Sequence, residues 1–377
     1  MLSNETHSGS WIWINAGEAS GDMHGALLIK AFSELAPKMR FLGMGGPAME
    51  RAGFRAEFSI NSLSLMGFTE VFSGLPRIGA LLLQIKKRLR ESRPAAVVLI
   101  DSPDFNFFVA RMAKRLGIPV FYYVSPQVWA WRKGRVAFLK KYARRVLTIL
   151  PFEKDFFAEH GLSVDYVGHP LLDLIPFAEL EGISPDSKKI GILPGSREKE
   201  ISALLPEFIR AARLLRARRP ELSFAVASAP GISQEMLSRF LPSDLPMKVE
   251  PPEGRYRLMR ESAFLLAASG TAALEAALLG TPVIVAYRLS GLTYFLARIF
   301  VHVPFVSLPN LILKERVFPE LLQAQANAGA IANHAWAWLE NESEIAKVRQ
   351  RLAALKELMG EPGAPKRAAR IILDMLE

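Results

Sequence analysis

The sequence predicts an α/β chain of two doubly wound, Rossmann-like domains, and three observations carry that expectation. The chain has 377 residues, half of them hydrophobic, which at a soft prior of about 150 residues per domain gives two domains with room for two cores. Short β-rich runs alternate with longer helical ones, twice over. Prolines and polar residues interrupt the pattern once, at about 170–189.

Taken in order, SWIWINAG, RFLGMGG, AVVLIDS, PVFYYVS, RVLTIL and VDYVGH read as buried strands of the first half, with helices such as MHGALLIKAFSEL between them. In the second half KIGILPG, LSFAVASA, AFLLAASG and PVIVAY repeat the scheme. Strands and helices that alternate with few residues between them make parallel sheets covered on both faces. The expected domains are residues 1–170 and 188–342. From about 343 the chain reads as basic amphipathic helix that could pack back across the join onto the first domain. Sheets of this kind bind ligands beyond the carboxyl ends of their strands, so the expected site is a cleft between the domains.

Composition removes several classes. With no cysteine there is no disulfide framework, thiolate metal site or thiol nucleophile. Six histidines show no H-E-x-x-H or similar spacing, so neither a metal nor another cofactor is expected. Residues 263–287 are apolar except for Glu275, but Gly270, Gly280 and Pro282 cut them into strand, helix and strand. Residues 116–131 are free of Asp, Glu, Lys and Arg yet contain Pro119 and Pro126, short of the ~18 unbroken apolar residues a span needs. No transmembrane helix is expected. The start, MLSNETHSGS, lacks the basic and apolar regions of a signal peptide, which predicts a cytoplasmic protein.

The charge is regional. Lys and Arg number 47 against 37 Asp and Glu, a net +10, yet residues 75–145 alone hold 16 basic side chains and three acids, leaving the rest at −3. Such a region attracts anionic lipid, nucleic-acid backbone or phosphorylated ligands. Within it Leu75, Ile78, Leu82, Ile85 and Leu89 step by three and four, interleaved with and followed by Lys86, Lys87, Arg88 and Arg90, and preceded by Leu65, Met66, Phe68 and Phe72. Two readings stand: a basic amphipathic element lying on a membrane, or a core helix with a solvated charged face. No aromatic RNA-reading signature, zinc finger or basic zipper appears, so nucleic acid is the weaker partner.

Four strand-to-helix turns could carry chemistry. In NAGEASGDMHG, Gly17, Gly21 and Gly25 permit close backbone approach while Glu18, Ser20 and Asp22 supply polar groups; the spacing is not G-x-G-x-x-G, which argues against NAD, and an ordinary tight turn is the alternative. In ILPGSREKEI, Gly195 precedes Ser196, a candidate helix cap, and Arg197, placed in the first turn. A cation there opposes the helix dipole unless an anion sits beside it, so the turn suits a diphosphate; otherwise the arginine swings to solvent. In AASGTAALEAALLG, Ser269, Gly270 and Thr271 open a helix and Glu275 lies four residues on, a lone carboxylate that requires either a ligand such as a ribose diol or an arginine partner. In VVLIDSPDFNFF, Asp104 stands in an N-cap position, whereas Asp101 ends a buried strand with no local partner and could act as general base. His24, His169 in VGHP and Asn310 in VSLPNL are further polar candidates.

NAGEASGD, IDSPDFN, YVSPQVWAWR, LPFE, VGHP, LPGSR, ASGTAALE and VSLPNLI, in this order across residues 11–323, resemble the lipid-A-disaccharide synthases. The resemblance implies a GT-B fold and a peripheral enzyme on the cytoplasmic face of the Gram-negative inner membrane. It implies transfer of 2,3-diacylglucosamine from UDP-2,3-diacylglucosamine to the 6-hydroxyl of 2,3-diacylglucosamine 1-phosphate, with inversion, releasing UDP. By the same resemblance Asp101 is the base, and Glu18, Ser20, Gly21 and Asp22 border the reaction centre. Gly195, Ser196, Arg197, Ser269, Gly270 and Thr271 would take the diphosphate, Glu275 the ribose, and Asn310 would complete the donor site. Acylated substrates also favour the membrane reading of residues 65–90, and family members form homodimers. Two departures stand out: Ser102 where alanine is common, and ILKERVFPELLQ after VSLPNL where a small Ala-Gly pair is usual, which bears on Asn310.

Overall fold

The computed structural model describes residues 11–64, 71–130, 134–289, 291, 294 and 303–376. They form two compact units, residues 1–173 with 361–377, and residues 174–360.

The first unit holds a seven-stranded parallel sheet in the order β3-β2-β1-β4-β5-β6-β7, from β1 (Trp11–Ala16), β2 (Arg40–Gly45), β3 (Phe54–Ser59), β4 (Ala96–Ile100), β5 (Val120–Tyr123), β6 (Arg145–Thr148) and β7 (Asp165–Tyr166). The second holds six parallel strands, β10-β9-β8-β11-β12-β13, from β8 (Asp186–Leu193), β9 (Ser223–Ala227), β10 (Met247–Glu250), β11 (Ser262–Ala268), β12 (Val283–Tyr287) and β13 (Glu320–Leu322). Central strands are apolar on both faces, as helices on both sides require. Trp13, Val97, Leu99 and Tyr122 pack under Ile85, Leu89, Val109 and Leu139, while the alternate residues Ile12, Ile14, Val98 and Ile100 are equally buried. Ile190, Ile192, Phe264 and Leu266 do the same in the second unit against Leu204, Phe208 and Trp338.

Each sheet reverses its strand order once, between β1 and β4 and between β8 and β11. At such a switch point the connections leave in opposite directions and open a crevice beyond the carboxyl ends. The four turns singled out in the sequence follow these four strands.

The segmentation differs from expectation at the end of the chain. The stretch from about 343 is divided: helix Glu342–Met359 belongs to the second unit, where Arg349 donates to the Ala263 carbonyl at 3.1 Å, and only helix Ala364–Asp374 returns to the first. That return is fixed by Asp173, whose carboxylate accepts the N–H groups of Gly363 and Ala364 at 2.5 and 3.2 Å, and by Arg367, which donates to the Val167 carbonyl at 2.8 Å. Buried Ala368 and Ala369 let the helix lie close against Ala19–Leu35. Residues 174–187, expected as a join, likewise belong to the second unit.

Candidate active site

At the first switch point, β1 and β4 run in register, Ala16 beside Ile100. Glu18 therefore follows one strand and Asp101 the other. Asp101 (φ +48°) and Ser102 (φ +44°) are consecutive non-glycine residues in the left-handed region, a conformation costing about 1–3 kcal/mol per residue. Asp101 is partly buried, and burial is the main force raising its pKa to about 6; the facing Glu18 adds to the rise and the Ser102 N–H opposes it. Such a carboxylate is mostly ionised at neutral pH and a stronger base than an ordinary one. Glu18 is exposed at the N-cap of helix Ala19–Leu35, and Ser20 is half-buried in its first turn.

Other residues of this turn have structural work. Asp22 is buried and accepts the N–H groups of Gly46, Ala48 and Met49 at 2.8, 2.9 and 3.1 Å, so its carboxylate starts helix Pro47–Arg51. A Cβ on Gly21 would lie 3.3 Å from the Ala16 Cβ, and one on Gly25 would lie 2.6 Å from the Met49 sulfur. Both glycines admit close packing neighbours. Asp104 is not the cap of helix Pro103–Arg115: Ser102 occupies that position, and Asp104, exposed in the first turn, pairs with Arg135. His24 and His169 form a buried edge-to-face pair with centroids 6.4 Å apart, and burial lowers their pKa values to about 4 and about 3, keeping both neutral.

In the second unit Gly195 (φ +121°) needs to be glycine, since a side chain is strained in that backbone conformation. Arg197, not Ser196, is the N-cap of helix Glu198–Arg218. Its side chain is 67% exposed and lies 3.3 Å from Glu200 Oε1, while Glu200 Oε2 accepts the Ser196 N–H at 3.2 Å. An intramolecular carboxylate thus stands where an anion was expected. Gly270 caps helix Thr271–Leu278, with Gly270 and Thr271 exposed and Ser269 half-buried. Glu275, 6% exposed, uses Oε1 to accept from the Tyr256 hydroxyl at 3.1 Å and lies 3.7 Å from Arg255. The arginine partner is the one the fold supplies. Burial raises the Glu275 pKa, and Arg255 and Tyr256 oppose the rise.

Asn310, expected to complete the donor site, has structural work in the fold. It is fully buried; Nδ2 donates to the Phe318 carbonyl and to Glu320, both at 2.9 Å, and Oδ1 accepts the N–H groups of Val317 and Phe318 at 3.0 and 2.8 Å. Its amide is used up holding the 310–320 turn.

The proposed membrane stripe is corrected in part. Leu65, Met66 and Phe68 lie outside the described residues, as do the side chains of Phe72 and Leu75. On helix Val71–Ser92, Ile85 and Leu89 are core, and Ile78 and Leu82 pack against that core. The stepped apolar face therefore points inward, while Leu83, 68% exposed, and exposed Lys86, Lys87 and Arg90 point outward. Among the described residues no helix is long and apolar enough to cross a membrane.

Several polar residues at these turns escaped the sequence reading. Glu153 of LPFE is a buried carboxylate accepting from Ser125 Oγ (2.6 Å), Trp129 Nε1 (3.2 Å) and the N–H groups of Ile149 and Leu150 (3.1 and 2.9 Å), which ties the SPQVW segment to the turn after β6. Asn15, Asn106 and Tyr122 gather beside Asp101. All but Tyr122 had a visible signal, a polar residue inside a quoted motif.

Two parallel-sheet units with switch-point turns of this kind define the GT-B fold. Solved structures agree: the calicheamicin glycosyltransferase CalG4 matches with a TM-score of 0.65 at 16% identity over 98% of each chain. A putative UDP-N-acetylglucosamine 2-epimerase from Listeria monocytogenes matches at 0.65 and 13%, over 98% of this chain and 97% of that one. Residues 12–372 match the lipid-A-disaccharide synthetase family. The chain belongs to that family and is a glycosyltransferase. Lipid-A-disaccharide synthases from Myxococcus xanthus (42% identical, 97% of each chain) and Geobacter sulfurreducens (35%, 100% of this chain and 99% of the relative) are similar along nearly their whole length.

Proposed function

We propose that this enzyme transfers 2,3-diacylglucosamine from its UDP carrier to the 6-hydroxyl of 2,3-diacylglucosamine 1-phosphate, with inversion, giving a β-1,6-linked disaccharide 1-phosphate and UDP. The observation that carries the chemistry is Asp101: a strained, partly buried carboxylate made more basic at the switch point of the first sheet. In one displacement the acceptor oxygen bonds to the anomeric carbon, its proton passes to Asp101, and the bond from that carbon to the diphosphate oxygen breaks. UDP leaves with the electron pair. A single base on the acceptor side suffices for inversion, whereas retention needs a second displacement.

The donor belongs to the turns of the second unit. Gly195, Ser196 and Arg197, with Ser269, Gly270 and Thr271, offer helix-start N–H groups and a guanidinium to the diphosphate. Glu275 is the candidate for a ribose hydroxyl, Oε1 being the oxygen that Tyr256 and Arg255 occupy. The acyl chains of both substrates call for a bilayer surface, and the outward face of helix Val71–Ser92, with Leu83, Lys86, Lys87 and Arg90, supports peripheral contact with anionic lipid on the cytoplasmic side.

The test is UDP release in detergent micelles with both acylated substrates, beside UDP-N-acetylglucosamine alone. Release that requires both, with a disaccharide of the expected mass, supports the proposal. The structural likeness to a 2-epimerase favours one rival, an enzyme acting on UDP-N-acetylglucosamine; turnover of that soluble sugar alone would establish it. UDP binding without turnover of either would point to a sensor.

A further inference from the structure

β4 ends between two polar side chains of its neighbours. Asn15 of β1 and Tyr122 of β5 both stand in register with Leu99. Side chains in one register row of a parallel sheet share a face, and here that face is the one covered by helix Pro103–Arg115, which contributes Asn106. All three polar residues are buried. The Tyr122 hydroxyl donates to the Asp101 carbonyl at 2.7 Å, and Asn106 Nδ2 donates to the same carbonyl at 2.7 Å and to that of Ile100 at 3.1 Å. Asn106 Oδ1 in turn accepts from Asn15 Nδ2 at 2.7 Å, and the Asn106 N–H donates to the Ser102 carbonyl at 2.9 Å. The Tyr122 ring is held edge-on to Phe107 with centroids 6.2 Å apart.

Stability alone does not explain this arrangement. Asn15 Oδ1 is buried without a partner, so the cluster leaves a core acceptor unsatisfied where apolar side chains would leave none. Two of its donors, Asn106 Nδ2 and the Tyr122 hydroxyl, converge on the Asp101 carbonyl, at the left-handed turn that ends the strand.

We infer that Asn106 and Tyr122 are positioning residues: clamping the Asp101 carbonyl from two elements, they hold the Asp101–Ser102 turn in its left-handed form and so fix where the carboxylate stands. Asn15 braces Asn106 from a third. The inference rests on the reading of Asp101 as the base only for its consequence in turnover. The orientation of the carboxylate can be measured separately.

Tyr122→Phe removes one hydroxyl and keeps the ring, and Asn106→Asp keeps the shape but replaces the donor. The experiment combines steady-state kinetics in the micellar assay with a carbon-13 carboxyl NMR titration of Asp101, in wild type and Tyr122→Phe, with Asn106→Asp added where circular dichroism shows it folded. The expected result is a fall in kcat of about 10- to 100-fold, the scale of an ångström-sized misplacement, with both KM values within about threefold and the Asp101 titration midpoint displaced. Wild-type kcat with an unmoved midpoint would overturn the inference. So would a loss of kcat that merely tracks the folded fraction. If Asp101→Asn itself turns over normally, the base assignment fails, and the NMR titration alone then decides whether the clamp holds the carboxylate.

Discussion

Asp101 and Glu275 are the two carboxylates that sequence reasoning placed at switch-point turns as lone acids; burial raises the pKa of both, and the fold gives them different partners. Glu275 is given a tyrosine hydroxyl and an arginine. Asp101 is given a strained backbone, partial burial and a second carboxylate, Glu18, across the turn. A paired acid contributes to the structure that pairs it. An acid raised to about 6 against an ordinary 3.8 costs stability when ionised, because the native state binds more protons than the unfolded one between those values. That contribution is favourable below pH 4, declines as pH rises towards 6, and is lost above it. The pKa of Glu275 is raised in the same direction, so what separates Asp101 is its strained turn and the facing Glu18, with no arginine beside it, among the described residues, in the role Arg255 has at Glu275.

The comparison is broken or sharpened most strongly by Asp101→Asn. Turnover falls by about 10²- to 10⁴-fold, while stability at pH 8 rises by about 1–3 kcal/mol, one pKa unit being worth about 1.4 kcal/mol; UDP-release kinetics and urea denaturation read the two. UDP binding stays as in wild type. Opposite movement is expected at Glu275→Ala, which strands Arg255 and costs about 2–5 kcal/mol in the same urea experiment. A stabilised Glu275→Ala would erase the contrast.

Asn310→Ala leaves the N–H groups of Val317 and Phe318 without their acceptor, so a loss of about 2–4 kcal/mol is expected. Calorimetry should find UDP affinity within about threefold of wild type once the variant is folded, a change of under 1 kcal/mol. A drop beyond tenfold in a folded variant would assign Asn310 to the donor site. Ile78→Ser opens the core and costs about 2 kcal/mol, whereas Leu83→Ser with Lys86→Gln and Lys87→Gln leaves stability nearly unchanged and lowers co-sedimentation with anionic vesicles. Asp104→Asn is the smallest case: an exposed pair with Arg135 contributes about 0–1 kcal/mol, and activity persists.

Buried parallel strands were legible because they are continuous apolar runs bounded by turn residues. The edge strands were not: FRAEFS of β3, MKVE of β10 and ELL of β13 are short or half polar, and their pairing is set by the neighbouring strand. The four turns were legible because a strand-to-helix switch is written in glycines and small polar residues. What the side chains do there was not, because hydrogen-bond partners come from distant segments. Asp22 meets Gly46 and Asn310 meets Glu320 only in the folded chain, and both look in sequence like any site residue. The stripe Ile78, Leu82, Ile85, Leu89 shows why amphipathicity alone misleads: a 3.6-residue period identifies an apolar face without saying whether core or lipid covers it.

The most direct test is the pH dependence of kcat/KM for disaccharide formation between pH 4.5 and 9, in wild type and in Asp101→Asn. The expected wild-type profile falls on its acid side with a midpoint near 6, the value burial and Glu18 impose on Asp101, and the variant keeps only a low rate without that limb. A flat wild-type profile across this range, or the same acid limb surviving in Asp101→Asn, would show that another group takes the proton.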